Sequence, residues 1–311
     1  MKIVVAGGTG FLGRAVAGSL LDSGHEVTVL TRNPDRVSTI PRLAGANAAR
    51  SDVTDARTLT GTLAGADAVV GAVQFPNHPI EVERRGLTYD RFDRLGTENL
   101  IREAQVAGVE RFFYLSGAGA DPASDKVWYR AKGRAEESLR HSGLRYVVLR
   151  PSWAYGPGDQ ALSKLASIAR FSPVLPQLGL RPQRIQPVHA DDVALAARRS
   201  FERTEAAWDK TFEIGGPDVM TMNEVLHTLL DVMGLRRLVV PVPTTLAKLA
   251  TAPLELLPSP PMTPQGIEFA VQDGLVDLGL LREVLDVHPV TLREGLERYM
   301  SPGRTQVEKR A

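Results

Sequence analysis

Tyr129 and Lys132, in the stretch KVWYRAKGRAEES at residues 126–138, stand three residues apart, a spacing that puts both on one face of a helix. A phenol can give a proton to an oxygen, and a neighbouring ammonium can hold sugar hydroxyls and lower the phenol's pKa. Ser116, at the end of RFFYLS, offers a hydroxyl that can position a substrate. Trp128 directly precedes Tyr129, and its indole N–H is a hydrogen-bond donor that yields no proton at neutral pH. Successive helical residues are turned by about 100°, so Trp128 and Tyr129 point to different sides. Aromatic residues at a helix start also serve simply as packing, and that reading of both stays open.

A second set of residues suits phosphate chemistry. AGGTGFLGRA places Gly7, Gly10 and Gly13 in a G-x-x-G-x-x-G pattern, with Thr9, Phe11 and Leu12 between the glycines. The motif joins a strand-like run, KIVVA, to a helical one, FLGRAVAGSLLDSG, where glycines let the backbone approach a pyrophosphate at a helix N-terminus. HEVTVLTR then supplies the second strand of a βαβ unit. At its end, where an NAD site places an acidic residue for the ribose hydroxyls, the chain reads LTRNPDR. The Arg32 guanidinium there can pair with a 2′-phosphate, which selects NADP, while Asp35 nearby keeps NAD as the alternative.

These residues need a frame, and the pattern supplies one. Strand-like runs recur at ADAVVGAV, RFFYLS and RYVVLR, separated by helical stretches at YDRFDRLGTENLIREAQVAG and KVWYRAKGRAEESLRHSG. Such alternation predicts an α/β fold with a doubly wound parallel (Rossmann) sheet over residues 1–150. After RPSWAYGPGD prolines become frequent and the alternation loosens, which predicts a smaller α/β substrate domain over 151–300, partly interleaved with the first. SPGRTQVEKRA, 301–311, reads as a polar tail.

Composition narrows the function classes. The 311 residues carry a formal net charge of +1 and are 43% hydrophobic, with basic residues scattered rather than clustered. That pattern is not the footprint of nucleic-acid binding. With no cysteine there is no disulfide, thiolate metal site or cysteine nucleophile. The chain runs from Met1 straight into a strand-like stretch with no signal-peptide pattern, so a cytoplasmic location is expected. No apolar stretch is long enough to span a bilayer. The proline-rich apolar segment from Leu238 to Pro264 suits a hydrophobic substrate pocket, a membrane-surface contact or a dimer interface, and oligomeric state carries no signature. His189, Asp191 and Asp192 lack a well-spaced third partner for a metal, and an aspartate before the alanine-rich helix reads as an N-cap, so no metal is expected.

GGTGFLG, TRNPDR, DVTD, GTENLIREAQVAGVERFFYLS, the Lys132 helix, RPSWAYGPGD and IQPVHADDVA follow one another in the order seen in the extended and atypical branches of the short-chain dehydrogenase/reductase superfamily. The chain particularly resembles the NmrA-like proteins and the NAD(P)-binding accessory subunit of respiratory complex I. The resemblance implies that Asp52 and Val53 lie beside the adenine and that Ala72 and Val73 face the cofactor. It places Leu115 and Ser116 at the end of the fifth strand, Lys132 on the nicotinamide ribose, and Pro151 and Trp153 near the nicotinamide. It makes His78 and Tyr155 candidates to border the substrate. Active relatives carry a tyrosine four residues before the lysine, where this chain has Trp128, and a catalytic hydroxyl where it has Gly117. In isoflavone-reductase-like relatives the lysine itself is the acid/base. The implied function is an NAD(P)H-dependent oxidoreductase with Lys132 as its central residue, acting on a small molecule of hydrophobic or medium-sized carbonyl or quinone-like type. The alternative is a non-catalytic NADP-binding protein of regulation or assembly. A sugar-nucleotide epimerase or dehydratase comes third, because it needs the missing tyrosine.

Overall fold

The computed structural model describes residues 1–76, 78–202, 205–257, 260 and 262–301 of the chain. Contacts divide it into two units: residues 1–151, 190–214 and 277–288 form the first, while 152–189, 215–276 and the residues from 289 onward form the second. All of the expected polar tail beyond residue 301 lies outside the described residues.

The first unit begins β1 (Lys2–Ala6), α1 (Phe11–Asp22), β2 (Glu26–Thr31), β3 (Asn47–Arg50), β4 (Ala68–Gly71), α2 (Gly96–Val106), β5 (Arg111–Leu115), α3 (Val127–Arg140) and β6 (Arg145–Pro151). The chain then makes β7 (Ala154–Tyr155), α4 (Ala161–Phe171), β8 (Val174–Leu178), β9 (Arg184–Ile185) and β10 (Val188–His189) of the second unit. It returns to the first with α5 (Ala190–Glu202) and β11 (Lys210–Ile214). Back in the second unit follow β12 (Met220–Thr221), α6 (Met222–Val232), β13 (Leu238–Val242), α7 (Thr244–Thr251), α8 (Pro264–Ala270) and, last, α9 (Leu292–Met300).

Seven strands of the first unit form one parallel sheet in the order β11-β6-β5-β4-β1-β2-β3. This is a doubly wound α/β sheet, and its order reverses at β1, where Ala6 pairs with Gly71 of β4. Strands covered on both faces read as continuous apolar runs, as Ile3 to Ala6 and Ala68 to Val70 do, all buried. The exposed β3, NAAR, has no such run and shows only in its pairing with Thr28 to Thr31. One layer of core joins Val4, Val69, Phe112 and Val148 of the sheet to Leu100, Ala104, Ala135 and Leu139 of α2 and α3. On α1 packs α5, so a helix made after the excursion completes the first unit.

Among its described residues the second unit holds three two-stranded ribbons, β7 with β10, β9 with β12 and β8 with β13. Tyr155, Leu162, Ile185, Val225, Leu229, Leu292 and Leu296 form its main core. A capping box starts α6, where Thr221 and Glu224 exchange side-chain and backbone bonds, and another starts α9 with Thr291 and Glu294. Among the described residues no helix is long and apolar enough to cross a membrane.

Candidate active site

Gly7 has φ +82, a backbone state that favours glycine, and a Cβ there would stand 2.5 Å from the Ala72 carbonyl oxygen. A Cβ on Gly13 would collide with the Gly7 carbonyl, and the Gly10 N–H donates to that same oxygen at 2.9 Å. The turn is therefore bare of side chains where β1 and β4 end side by side, at the reversal of strand order. No side chain caps α1, whose first turn also lacks an acidic residue. That combination suits a phosphate group whose oxygens accept from backbone N–H groups. Thr9, Phe11 and Leu12 are only half-buried at this turn.

Positive charge gathers beyond β2. Arg32 is exposed, with its guanidinium 6.0 Å from the Phe92 ring centroid, and that of Arg91 lies 5.9 Å from the same ring. Burial, then Arg36 and Arg42, push the Arg14 pKa down, so three more guanidiniums crowd this region. Arg42 is paired with Asp191 at 2.6 Å. On the far side of the turn, Asp52 is tied into its own loop: its carboxylate accepts from the Thr54 N–H and hydroxyl, both at 2.9 Å. The Val53 carbonyl accepts from Asn99 of α2 at 2.8 Å. Val73 packs on the sheet core.

Lys132 projects from α3 toward the end of β5. Its ammonium lies 2.8 Å from the Asp93 carboxylate, donates to the Leu115 carbonyl at 3.4 Å and sits 5.4 Å from the Tyr114 ring centroid. Burial opposes this charge, but Asp93 and then Tyr114 outweigh it, and the Lys132 pKa stands above its ordinary value. Burial pushes the Tyr114 phenol up to about 12. Asp93 was not read from the sequence as a site residue. It lies in a wide π-type turn over Asp90–Leu95 that opens α2, fully buried, and its other oxygen accepts from the Phe75 N–H at 3.2 Å. The signal was present: Asp93 falls in line with Thr97, Leu100 and Ala104, so a carboxylate occupies a place on the buried stripe of a helix.

The remaining candidates separate. Trp128 is buried and joins an aromatic cluster, its ring centroid 6.5 Å from Tyr89 and 5.7 Å from Tyr129. Tyr129 leans on the loop after β5, where a Cβ on Gly119 would come 2.8 Å from its ring. His78 meets the Tyr89 hydroxyl at 2.7 Å through Nδ1. Burial, aided by the Lys132 charge, lowers the His78 pKa to about 3. Tyr89, a second residue the sequence did not single out, is buried against Phe75 with ring centroids 4.4 Å apart.

Ser116 is held elsewhere. Its hydroxyl donates to Glu136 at 2.6 Å, and the buried Glu136 carboxylate also takes Arg150 at 2.9 and 2.6 Å and Arg140 at 2.7 Å. This network stitches β5, α3 and β6 together, which gives Ser116 a structural task. A Cβ on Gly117, by contrast, would meet open space. Pro151 ends β6 and its carbonyl accepts from the Ala118 N–H at 2.9 Å.

Trp153 and Tyr155 belong to the second unit. Trp153 packs on that unit's core, while Tyr155 is wholly buried with its hydroxyl donating to the Thr291 carbonyl at 3.3 Å. Tyr155 thus packs in the core of the second unit. Asp191 and Asp192 lie in the first turn of α5 rather than before it, favourably placed for the helix dipole. Among the described residues no three His, Asp or Glu side chains cluster closely enough to hold a metal.

Comparison with known proteins identifies the family and the fold. Residues 7–165 match the family model described as NAD(P)H-binding. The chain is 28% identical over 304 residues to the mitochondrial NADH dehydrogenase [ubiquinone] 1 alpha subcomplex subunit 9 of Arabidopsis thaliana, covering 93% of this chain and 74% of that one. It is 29% identical over 267 residues to the 2-alkyl-3-oxoalkanoate reductase of Stenotrophomonas maltophilia, covering 76% and 77%. Among solved structures, an NADPH-dependent quinone oxidoreductase of Escherichia coli superposes with TM-score 0.70 over 95% of this chain and 98% of that one at 22% identity, which shows the shared fold.

Proposed function

This chain belongs to the NAD(P)H-binding family, and from that premise we propose that it is an NAD(P)H-dependent oxidoreductase of the atypical short-chain class. Its substrate is a hydrophobic or medium-sized carbonyl or quinone-like molecule, and NADP is preferred over NAD. The observation that carries the reading is the buried Lys132 ammonium, fixed by Asp93 of the turn before α2 and by Leu115 at the end of β5, a strand of the sheet whose β1 leads into the Gly7 turn.

Gly7, Gly10 and Gly13 would hold the pyrophosphate, Asp52 and Val53 would flank the adenine, and Arg32 would meet the 2′-phosphate. Ala72, Val73 and Pro151 would lie along the cofactor. The bound nicotinamide supplies the hydride. Lys132 would hold the ribose hydroxyls and stabilise negative charge on the substrate oxygen. Because Asp93 strengthens its hold on the proton, Lys132 acts as a fixed positive charge rather than as the proton source. Tyr129 or solvent would then supply the proton. The name of the Stenotrophomonas relative, a reductase of a 3-oxo acid, supports the carbonyl class.

A second reading is favoured by Trp128, buried where active short-chain enzymes carry tyrosine: the dinucleotide is bound without turnover. NADPH binding by fluorescence, followed by cofactor oxidation across quinones, ketones and enones, separates the two. Turnover that Lys132→Ala abolishes supports the enzyme; tight binding with no turnover on any acceptor overturns it in favour of the second reading. The epimerase reading is tested by Trp128→Tyr with Gly117→Ser, which would restore both missing hydroxyls.

A further inference from the structure

We propose that the ribbon of β8 and β13, together with the C-terminal end of α4 and helix α7, is a docking face for an anionic lipid bilayer surface. Every element of it lies in the second unit. In the parallel pairing of the two strands, Val174 stands beside Leu238, Pro176 beside Val240 and Leu178 beside Val242. Paired residues of a ribbon share a face, so these six make one face without a polar side chain. The opposite face carries Leu175, fully buried among Ala169, Leu226 and Leu230 with Val239 alongside. On the all-apolar face Val174, Pro176 and Leu238 are exposed, Leu238 at 64%, while Leu178, Val240 and Val242 are half-buried.

Both ends of the ribbon extend the apolar character. Phe171, 88% exposed, ends α4 three residues before Val174, with Ile168 also exposed one turn earlier. At the other end the Gly179 N–H donates to the Val242 carbonyl, setting Leu180 beside the start of α7. That helix has no buried residue and turns Leu246, Leu249 and Ala250 outward, Leu249 being 73% exposed. An ordinary surface helix hides such residues. Here the amphipathic pattern is inverted, as in helices that lie on a membrane.

Charge selects the occupant. Residues 160–182 and 233–254 contain Lys164, Arg170, Arg181, Arg236, Arg237 and Lys248 and no acidic residue. Some are engaged locally: Lys248 pairs with Glu268 at 2.5 Å, Arg181 with Asp273 at 3.6 Å, and Arg237 donates to the Ala169 carbonyl. Lys164, Arg170 and Arg236 are exposed. A second copy on this face would set like charges against one another. Phospholipid headgroups with acyl chains beneath complement both the cations and the apolar side chains.

Co-sedimentation of the full chain with vesicles tests this. Binding to phosphatidylcholine vesicles mixed with phosphatidylglycerol, lost at high salt and absent with phosphatidylcholine alone, is the expected result. The triple variant Lys164→Glu, Arg170→Glu, Arg236→Glu should weaken binding about a hundredfold or more. Phe171→Ser with Leu249→Ser should weaken it roughly tenfold or more. Both variants change exposed side chains, and unchanged melting and NADPH affinity would show them folded. Failure to bind phosphatidylglycerol vesicles, or equal binding by the variants, overturns the proposal. So does light scattering that shows a dimer broken by Leu249→Ser, which would make a second copy the occupant.

Discussion

Lys132 of α3 and Asp93 of the turn before α2 meet at 2.8 Å, the carboxylate wholly shielded from solvent. Removing one partner of a buried pair strands the other charge, at about 3–5 kcal/mol. Asp93→Asn should therefore lower the melting temperature by several degrees and weaken NADPH binding. The double variant with Lys132→Met should be less destabilised than the two single losses summed, as read in a thermal double-mutant cycle. Additive losses would show that the contact contributes nothing.

Acidification should act through His78. Its folded-state pKa of about 3 is below the unfolded value, so the unfolded chain takes up the proton first. Stability is then full above roughly pH 6.5 and falls as the pH drops toward 3. His78→Gln, which cannot titrate, should flatten that part of the stability curve in urea melts at stepped pH.

Arg32→Ala should cost NADPH about ten- to a hundredfold in affinity and leave NADH nearly unchanged, because only the former carries the phosphate a guanidinium pairs with. Titration of both cofactors by fluorescence checks it. Equal losses would reassign the preference to Arg14 and Arg36 or remove it.

Ser116→Ala should lower stability by about 1.5–3 kcal/mol, the loss of a bond to a charged acceptor, and leave NADPH affinity and any turnover intact. Loss of turnover with unchanged melting would return Ser116 to the chemistry.

How much of this could be read from sequence depended on how local its cause was. Gly7, Gly10 and Gly13 were legible as a tight turn because their constraint lies within a few bonds, whereas Lys132 was singled out through the resemblance of its helix to known relatives. The alternation of β1, α1 and β2 is likewise written in adjacent residues. Asp93 stood on the buried stripe of its helix, but its pairing was not legible because the partner comes from another helix and its own turn is irregular. The bond of Ser116 to Glu136 was not legible because Glu136 and the Arg150 that braces it come from two other elements. The exposed NAAR strand has no periodicity, being ordered by its neighbour. Tyr155 looked like a site residue from its motif, whereas its burial depends on α9, whose capping residue Thr291 lies far along the chain.

The return of α5 and β11 to the first unit bears on how the protein is made. Residues 1–151 contain six of the sheet's seven strands, and without the later β11 and α5 a sheet built from them would leave β6 an open edge and one side of α1 bare. The nascent chain must extend through the whole first part of the second unit before β11 closes that edge. The first unit is therefore complete only once residues 190–214 and 277–288 have been made. A partly built sheet waits for its last strand while the intervening segment emerges, which is when a chaperone or a neighbouring nascent chain would meet it.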